Sequence, residues 1–344
     1  AAWSPATGAW GSLPGGTLNN NVWGLAEAAS GTVLVGGEFT SANGTTANGI
    51  ALYSPAGSWG TTNGGGLSAA GIVRAIDFAS DGNFYVGGQF NTAAGTSAGS
   101  VAAYNAATDR WGTMRTGVVA GTVNTIQAGL DTKVYVGGYI TSVDGTATAG
   151  IGAWDTNTLR WGTLGLGIQA GGAAGLAGPF VVTVAQNGLV YVGGNFGSAG
   201  GGSAQSFAVW NGVQWTGFGS GANYLSSYGA VYALLARSDS SLFIAGDFVK
   251  IGNLKVPSPV AQLLNTSFVP LDIDAAPGRL IVNAFAQAND GTVYIGNNTA
   301  LGSVYAASVA QVVNAGMAQA YPTITIRNTS TGTAPIYQLL NPTT

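Results

Sequence analysis

Short apolar runs alternate with polar and glycine-rich stretches along the whole chain, and one such run recurs six times. Its fullest form is NFYVGGQF at residues 83–90, and close copies stand at 32–39, 133–140, 189–196, 241–248 and 292–297. The first glycine position of each copy is held by Gly36, Gly87, Gly137, Gly193, Ala245 or Gly296, so the steps are 51, 50, 56, 52 and 51 residues. A repeat of about fifty residues predicts propeller blades or solenoid units.

Each repeat opens with a pattern typical of a β-hairpin. A turn residue stands five positions before the first glycine, as in Asp81-Gly82, and five copies have Asp or Asn just before it. Such pairs accept positive φ at low steric cost. Fourteen residues before the glycine position, five copies carry the valine that opens the preceding apolar run: Val22, Val73, Val123, Val231 and Val282. The pattern predicts two strands joined by a tight turn.

Two more apolar runs follow the paired glycines, after a loop rich in Thr, Ser, Ala and Gly. The third run ends in an aromatic residue in four copies, and a tryptophan follows after a short turn. In two copies this pair is seven residues apart, Tyr104 with Trp111 and Trp154 with Trp161. Each repeat therefore predicts four antiparallel strands, and the chain is expected to be all-β.

Both ends of the chain depart from the regular repeat. Trp3 and Trp10 echo the third and fourth strands, while the sixth repeat lacks a tryptophan strand. We expect the Trp10 strand to complete the last blade, which closes a ring and removes its exposed edges. This predicts a six-bladed β-propeller at 1–316 and a short C-terminal β-extension, or the start of a truncated second domain, at 317–344. Seven blades result if further upstream residues complete a blade around the two tryptophans.

The paired glycines after the second strand, with an aromatic residue and a later tryptophan in a unit of about fifty residues, resemble the kelch-type β-propeller repeat. This resemblance covers roughly residues 1–314 and implies strands that run outward from a central axis. The residue pattern of the repeat also looks like that of repeats in large bacterial surface proteins and bacteriophage tail proteins. The segment TITIRNT at 323–329 is similar to the start of a β-domain in such tail proteins.

The composition excludes several classes of function. Charged residues make up only 7% of the chain and the formal net charge is −3, which provides no basic surface for nucleic acid. The chain has no cysteine and no histidine, so disulfides, thiolate zinc sites and histidine bases are impossible. It also lacks a run of about eighteen apolar residues, so no membrane insertion is expected.

Enzymatic chemistry finds little support in these residues. Some propellers that resemble this chain are enzymes, and the copper site of galactose oxidase relatives requires histidine and a cysteine-linked tyrosine, which are absent. A Ser-His-Asp triad is equally impossible. Asp272 and Asp274 read as a solvated turn rather than a Ca²⁺ loop, because Ca²⁺ takes six to eight oxygen ligands. We therefore expect no catalytic residue, no metal and no cofactor.

Ligand-binding candidates come from one shared position and one aromatic residue. The residue directly after the paired glycines is polar in each of the first five repeats, and this common place could put all five at one end of a ring: Glu38, Gln89, Tyr139, Asn195 and Asp247. A solvated strand end uses the same residue types, and that interpretation is favoured. Trp23 lies outside the repeated aromatic pairs and is a candidate for an exposed contact, together with Tyr224 and Tyr228.

Low charge and many small residues suit surfaces that pack against other subunits, because few charges must be desolvated. The sequence therefore favours a non-enzymatic structural or adhesion protein of an extracellular assembly, such as a bacteriophage tail or a cell-surface fibre. Its expected partners are other subunits of a virion or surface assembly, and a host cell-surface glycan. The alternative is a monomeric, lectin-like carbohydrate-binding propeller, and a glycoside hydrolase that uses two acids such as Glu38 and Asp247 comes third.

Overall fold

The computed structural model describes residues 2–4, 9–112, 114–115, 120–169, 178–224, 227–271, 281–287, 293–301, 304–312, 325–328 and 336–340. Regular structure in these residues is β-strand, apart from one 3-10 turn at Asn63–Gly65. The prediction of an all-β chain is confirmed. The chain divides into two compact units, the first comprising Ala1–Gln169, Leu176–Val184 and Gly212–Gln214, and the second the remainder.

The first unit contains three four-stranded antiparallel sheets, which we call the first, second and third blades. In each blade the strands lie side by side in chain order. The first blade consists of Val22–Glu27, Val33–Gly37, Ile50–Tyr53 and Trp59–Gly60. The second consists of Ile72–Phe78, Asn83–Gln89, Val101–Asn105 and Arg110–Gly112. The third consists of Ala120–Ala128, Lys133–Val143, Ile151–Asp155 and Arg160–Thr163, and the unit also holds Ile168–Gln169 and the strand Gly178–Val184.

The second unit continues the same architecture. Strands Val190–Asn195, Phe207–Trp210 and Trp215–Gly217 form an antiparallel ladder in the fourth repeat. The fifth blade consists of Ala230–Ala236, Leu242–Asp247, Val260–Leu264 and Ser267–Pro270. Strands Ala222–Tyr224 and Ser227–Tyr228 form a short hairpin before it. Tyr224 and Tyr228 therefore lie in strands, and their side chains lie outside the described residues.

The sixth sheet differs from the sequence prediction at its outer edge. It begins with Val282–Gln287, Val293–Leu301 and Val304–Val312, but Ile336–Leu340 pairs in parallel with the third of these strands and Thr325–Asn328 borders it. The predicted C-terminal β-extension thus contains two strands, and one of them takes the place that the sequence assigned to the Trp10 strand. The boundary between 316 and 317 lies outside the described residues and stays a prediction.

Trp10 instead lies in a local hairpin. Strand Ala2–Ser4 pairs with Ala9–Gly11, and Trp3 is the register partner of Trp10. The physical reason is spacing, because a separation of seven residues is the one at which Tyr104 pairs with Trp111 and Trp154 with Trp161 across the third and fourth strands. A segment that carries its own partner at this spacing forms a hairpin at low loop entropy, whereas pairing with a distant strand requires closing a far longer loop.

The loop predicted after the paired glycines contains a second, shorter hairpin. It is formed by two-residue strands: Ser41–Ala42 with Thr45–Thr46, Thr92–Ala93 with Thr96–Ser97, Ser198–Ala199 with Gly202–Ser203, and Lys250–Ile251 with Leu254–Lys255. In the third blade, the end of the long second strand pairs with Thr146–Ala147. The turn residues Asn43 and Gly44 have φ of 48° and 81°, as a type I′ turn requires. Asn-Gly is a sequence signal for this turn type.

Successive blades pack through the first glycine of each pair. A Cβ placed on Gly36 would overlap Val73 and lie 2.8 Å from Ile76 Cδ1, and one on Gly87 would overlap Val123 and lie 2.7 Å from Ile126 Cδ1. These apolar side chains belong to the first strand of the next blade and are buried. The glycine thus leaves room for its neighbour, and the spacing of the blades depends on it.

The repeated aromatic residues form pairs within the first four repeats. Ring centroids lie 4.9 Å apart in Tyr53–Trp59, 5.1 Å in Tyr104–Trp111, 5.5 Å in Trp154–Trp161 and 5.4 Å in Trp210–Trp215. Such tilted and edge-on pairs add to the stability gained from burial. The tryptophans of these pairs therefore serve packing within the sheets. Within the described part of the chain, no helix has the length and apolar character needed to cross a bilayer.

Candidate functional site

A β-bulge recurs in the first strand of the repeats. In five of them the ladder with the second strand skips one residue, so that two residues face one: the skipped residues are Trp23, Arg74, Asn124, Tyr232 and Asn283. Each stands thirteen residues before the first glycine position, and Phe180 holds this place in the fourth repeat. Bulges re-aim side chains and are over-represented beside functional sites. We call Trp23, Arg74, Asn124 and Phe180 the bulge row of the first unit.

The second glycine of the pair is tightly enclosed in the first two repeats. A Cβ on Gly37 would overlap the carbonyl oxygen of Asn21, and one on Gly88 would overlap that of Ile72. In the first and second repeats the backbone as it stands therefore leaves no room for a larger residue at this place. The sixth repeat has the same bulge with Asn297 there, so glycine is not required for the bulge in every repeat. In these two repeats the first glycine sets the distance between blades and the second lies against the bulged strand.

Arg74 is the charged centre of the bulge row. Its guanidinium carbon lies 6.0 Å from the ring centroid of Trp23, within the range of a cation–π contact. Trp23 itself is 52% exposed. The Nε atom of Arg74 is buried and has no hydrogen-bond partner, and Arg74 forms no salt bridge within the residues that the structure describes. A buried donor without a partner costs free energy. Arg74 as a whole is half-buried, so any contact with an incoming acceptor would be made by the accessible part of its guanidinium.

Asn124 and Tyr139 lie in the paired first and second strands of the third blade. The ring of Tyr139 meets that of Phe180 edge to face, with centroids 6.3 Å apart. Burial raises the pKa of the Tyr139 phenol above its ordinary value, and the positive charge of Arg74 nearby opposes that rise. The side-chain amide nitrogen of Asn124 donates to the carbonyl oxygen of Pro179 at 3.2 Å. The row thus combines one cation, aromatic rings and an amide.

The six predicted ligand residues fall into two groups in the structure. Trp23 lies within cation–π distance of Arg74, and the charge of Arg74 acts on the Tyr139 phenol. Glu38 instead accepts a hydrogen bond from the Asn21 side chain at 3.3 Å, and Gln89 is exposed at the end of its strand. Asn195 and Asp247 end the corresponding strands of the second unit.

Sequence reasoning missed Arg74, Asn124 and Phe180. Their shared place in the repeat was readable, since each follows the position that opens the first strand. The signal was hidden because the residue type varies from repeat to repeat. A position that is variable in chemistry but constant in spacing is easily taken for an ordinary surface residue.

The acids before the hairpin turns are occupied by the turns themselves. Asp81 accepts a hydrogen bond from the backbone N–H of Asn83 at 3.0 Å, Asp131 from Lys133 at 3.0 Å, and Asp239 from Ser241 at 2.9 Å. This is the turn chemistry that aspartate provides. No group of three or more acidic side chains suited to a metal ion occurs among the described residues.

Comparisons with known proteins agree on the fold. The sequence profile of the Rax2 C-terminal beta propeller domain matches residues 12–128, about a third of the chain. No curated protein matches the chain at a significant level.

Two solved structures cover most of the chain. One is PorZ, a bacterial surface component of the type-IX secretion system of Porphyromonas gingivalis, at 14% identity and a TM-score of 0.52 over 82% of this chain and 38% of that one. The other is a xyloglucanase from Xanthomonas campestris, at 12% identity and a TM-score of 0.50 over 86% of this chain and 46% of that one. The chain thus spans less than half of the length of either protein.

These matches show a β-propeller fold made of four-stranded antiparallel blades, and at such low identity they establish nothing about activity. The prediction of the fold class is confirmed, and the count of six blades is consistent with it. The narrower resemblance to kelch-type repeats and to bacteriophage tail proteins is not shown by them.

Proposed function

We propose that this propeller is a non-enzymatic structural and adhesion subunit of an extracellular assembly, such as a bacteriophage tail or a cell-surface fibre. The observation that supports it is an open apolar face on the first blade. Val22 and Leu25 are 43% and 65% exposed, whereas the residues in the same places of the second blade, Val73 and Ile76, are 0% and 7% exposed. Gly24, on the opposite face of the strand, lies against the backbone of the second blade.

The repeat itself indicates what such a face accepts. In the second blade, Val73 and Ile76 are covered by the glycine-bearing strand of the preceding blade, where Gly36 leaves room for both side chains. A complementary partner for the first blade is therefore a strand with small residues, and in this proposal another subunit supplies it in place of a blade of the same chain. Only 7% of the residues are charged, so few charges would lose their water on docking.

The first test is the mass of the native particle that carries this chain, measured by light scattering or direct imaging. We expect a large symmetric or filamentous assembly. Leu25→Glu would place a charge in the contact and reduce incorporation at least about tenfold, because a buried charge without a partner is strongly unfavourable. The matched control is Leu130→Glu, since Leu130 is equally exposed but lies in a hairpin turn.

Two results would overturn the structural proposal. One is a free particle near the chain mass of 34.2 kDa, and the other is equal incorporation of the two variants. The outcome of this experiment does not depend on whether the chain also binds a small ligand.

A second candidate function is carbohydrate binding, which the half-exposed Trp23 beside Arg74 favours. Aromatic faces are common platforms for sugar rings, because they combine apolar area with defined geometry. A glycan-binding screen tests it. If a bound glycan is also cut, and if substitution of Glu38 or Asp247 abolishes the cut, the non-enzymatic assignment is wrong and a glycoside hydrolase takes its place.

A further inference from the structure

We propose that the bulge row of the first unit binds an acidic sugar, with Arg74 holding the sugar carboxylate and Trp23 stacking on the sugar ring. This inference specifies the ligand of the second candidate function and is independent of the assembly proposal. It goes beyond the sequence analysis, which identified Trp23 and Tyr139 but neither the arginine between them nor the class of ligand.

The case for an anionic group rests on Arg74. A guanidinium carries five N–H donors in a planar fork that matches the two oxygens of a carboxylate. In this chain the Nε–H is buried and unpartnered, and no described carboxylate forms a salt bridge with the side chain. The acid closest along the same strand, Asp77, is already occupied by Gln127 and by the backbone N–H of Ala128, each at 2.7 Å. An external carboxylate supplies hydrogen-bond acceptors that the described carboxylates do not provide to Arg74.

The case for a sugar rests on the neighbours of Arg74. The Trp23 ring is half exposed, so one part of it remains open to a ligand while the guanidinium lies 6.0 Å from its centre. The third blade offers the Tyr139 hydroxyl, which feels the positive charge of Arg74, and the amide oxygen of Asn124 on the neighbouring strand, and both groups suit sugar hydroxyls. A small inorganic anion would use the arginine but gain nothing from the aromatic ring, so the combination favours a ligand with both a carboxylate and an apolar ring face.

The test is calorimetric titration of the whole chain with sodium glucuronate, with glucose and inorganic phosphate as comparison probes. We expect glucuronate to bind at least about tenfold more tightly than either probe. Arg74→Gln weakens glucuronate binding at least about tenfold, which corresponds to about 1.4 kcal/mol. Trp23→Ala weakens it by about fivefold, and Arg110→Gln, which removes an exposed arginine from the fourth strand of the second blade, changes it less than twofold.

Several results would contradict this assignment. Equal binding of glucose and glucuronate removes the role of the carboxylate, and phosphate binding as tight as glucuronate binding with no effect of Trp23→Ala indicates a general anion site instead. If Arg74→Gln does not fold, Arg74→Lys keeps the charge and loses the planar fork, and it should still weaken binding several-fold. A failure here leaves the particle mass unchanged, so it is distinguishable from a failure of the assembly proposal.

Discussion

Gly87→Ala tests whether the first glycine sets the distance between blades. The new methyl would overlap Val123 Cγ1 and lie 2.7 Å from Ile126 Cδ1 and 3.1 Å from Ile126 Cγ1. Carbon atoms in contact prefer about 3.5–4.0 Å, so the second and third blades must separate by roughly 1 Å or the side chains must leave their rotamers. Because Val123 and Ile126 are buried, this overpacking should lower the free energy of unfolding by about 2 kcal/mol. Urea unfolding followed by tryptophan fluorescence measures the change.

The same blade provides a matched control for this substitution. At Gly112, in the fourth strand, the nearest atom to an added Cβ is the Ala103 carbonyl oxygen at 3.9 Å, so Gly112→Ala should change stability by less than about 0.5 kcal/mol. Adding Val123→Ala to Gly87→Ala should recover at least about 1 kcal/mol of the sum of the two single effects. Equal costs at Gly87 and Gly112, or strict additivity in the double variant, would refute the reasoning.

Three further outcomes are expected. Gly88→Ala should cost more than about 3 kcal/mol or prevent folding, because its methyl meets the Ile72 carbonyl oxygen, and urea unfolding measures this. Burial raises the pKa of Asp77 and outweighs the backbone hydrogen bonds that lower it. The stability contributed by its protonated form is therefore present below pH 3.8 and is lost as the pH rises through the raised pKa. In Asp77→Asn, the midpoints of urea unfolding across this range should lose that pH dependence. Burial and the hydrogen bond to Asp109 at 2.6 Å raise the pKa of Tyr104, so Asp109→Asn should lower it in an ultraviolet absorbance titration, and an unchanged value would contradict this cause.

The candidate site shows how far sequence reasoning reached and why it stopped. Trp23 and Tyr139 stood out because an aromatic residue at an unusual position of the repeat can be recognised from the amino-acid sequence alone. Arg74 did not, because nothing local distinguishes it from any other arginine on a strand. Its importance comes from the bulge, which depends on the register with the next strand, and from the lack of a salt bridge to any described acid. Neither property can be seen from the sequence around Arg74.

The edges of the sheets illustrate the same limit. The Trp10 strand was expected beside the sixth repeat on the strength of its spacing, but that spacing equally specifies a hairpin with Trp3. The place it was to fill is taken by Ile336–Leu340 in parallel pairing. Which segment pairs with an open edge depends on the competition between candidate strands, and a pattern of apolar residues describes each candidate separately.

By itself, the sequence determined the local order of this protein. The period of about fifty residues, the turn signals and the alternating apolar runs specify four antiparallel strands per repeat, because turns and strand faces depend on neighbours in the chain. Tertiary structure decided which glycine leaves room for which valine and which residue each bulge turns out of the ladder. It also left the apolar side chains of Val22 and Leu25 exposed on the first blade. The contacts between blades join residues that are far apart in the chain, such as Gly87 with Val123, and they form only when the blades pack. The bulges depend on the register between the first two strands of a blade, which the apolar pattern of each strand does not specify.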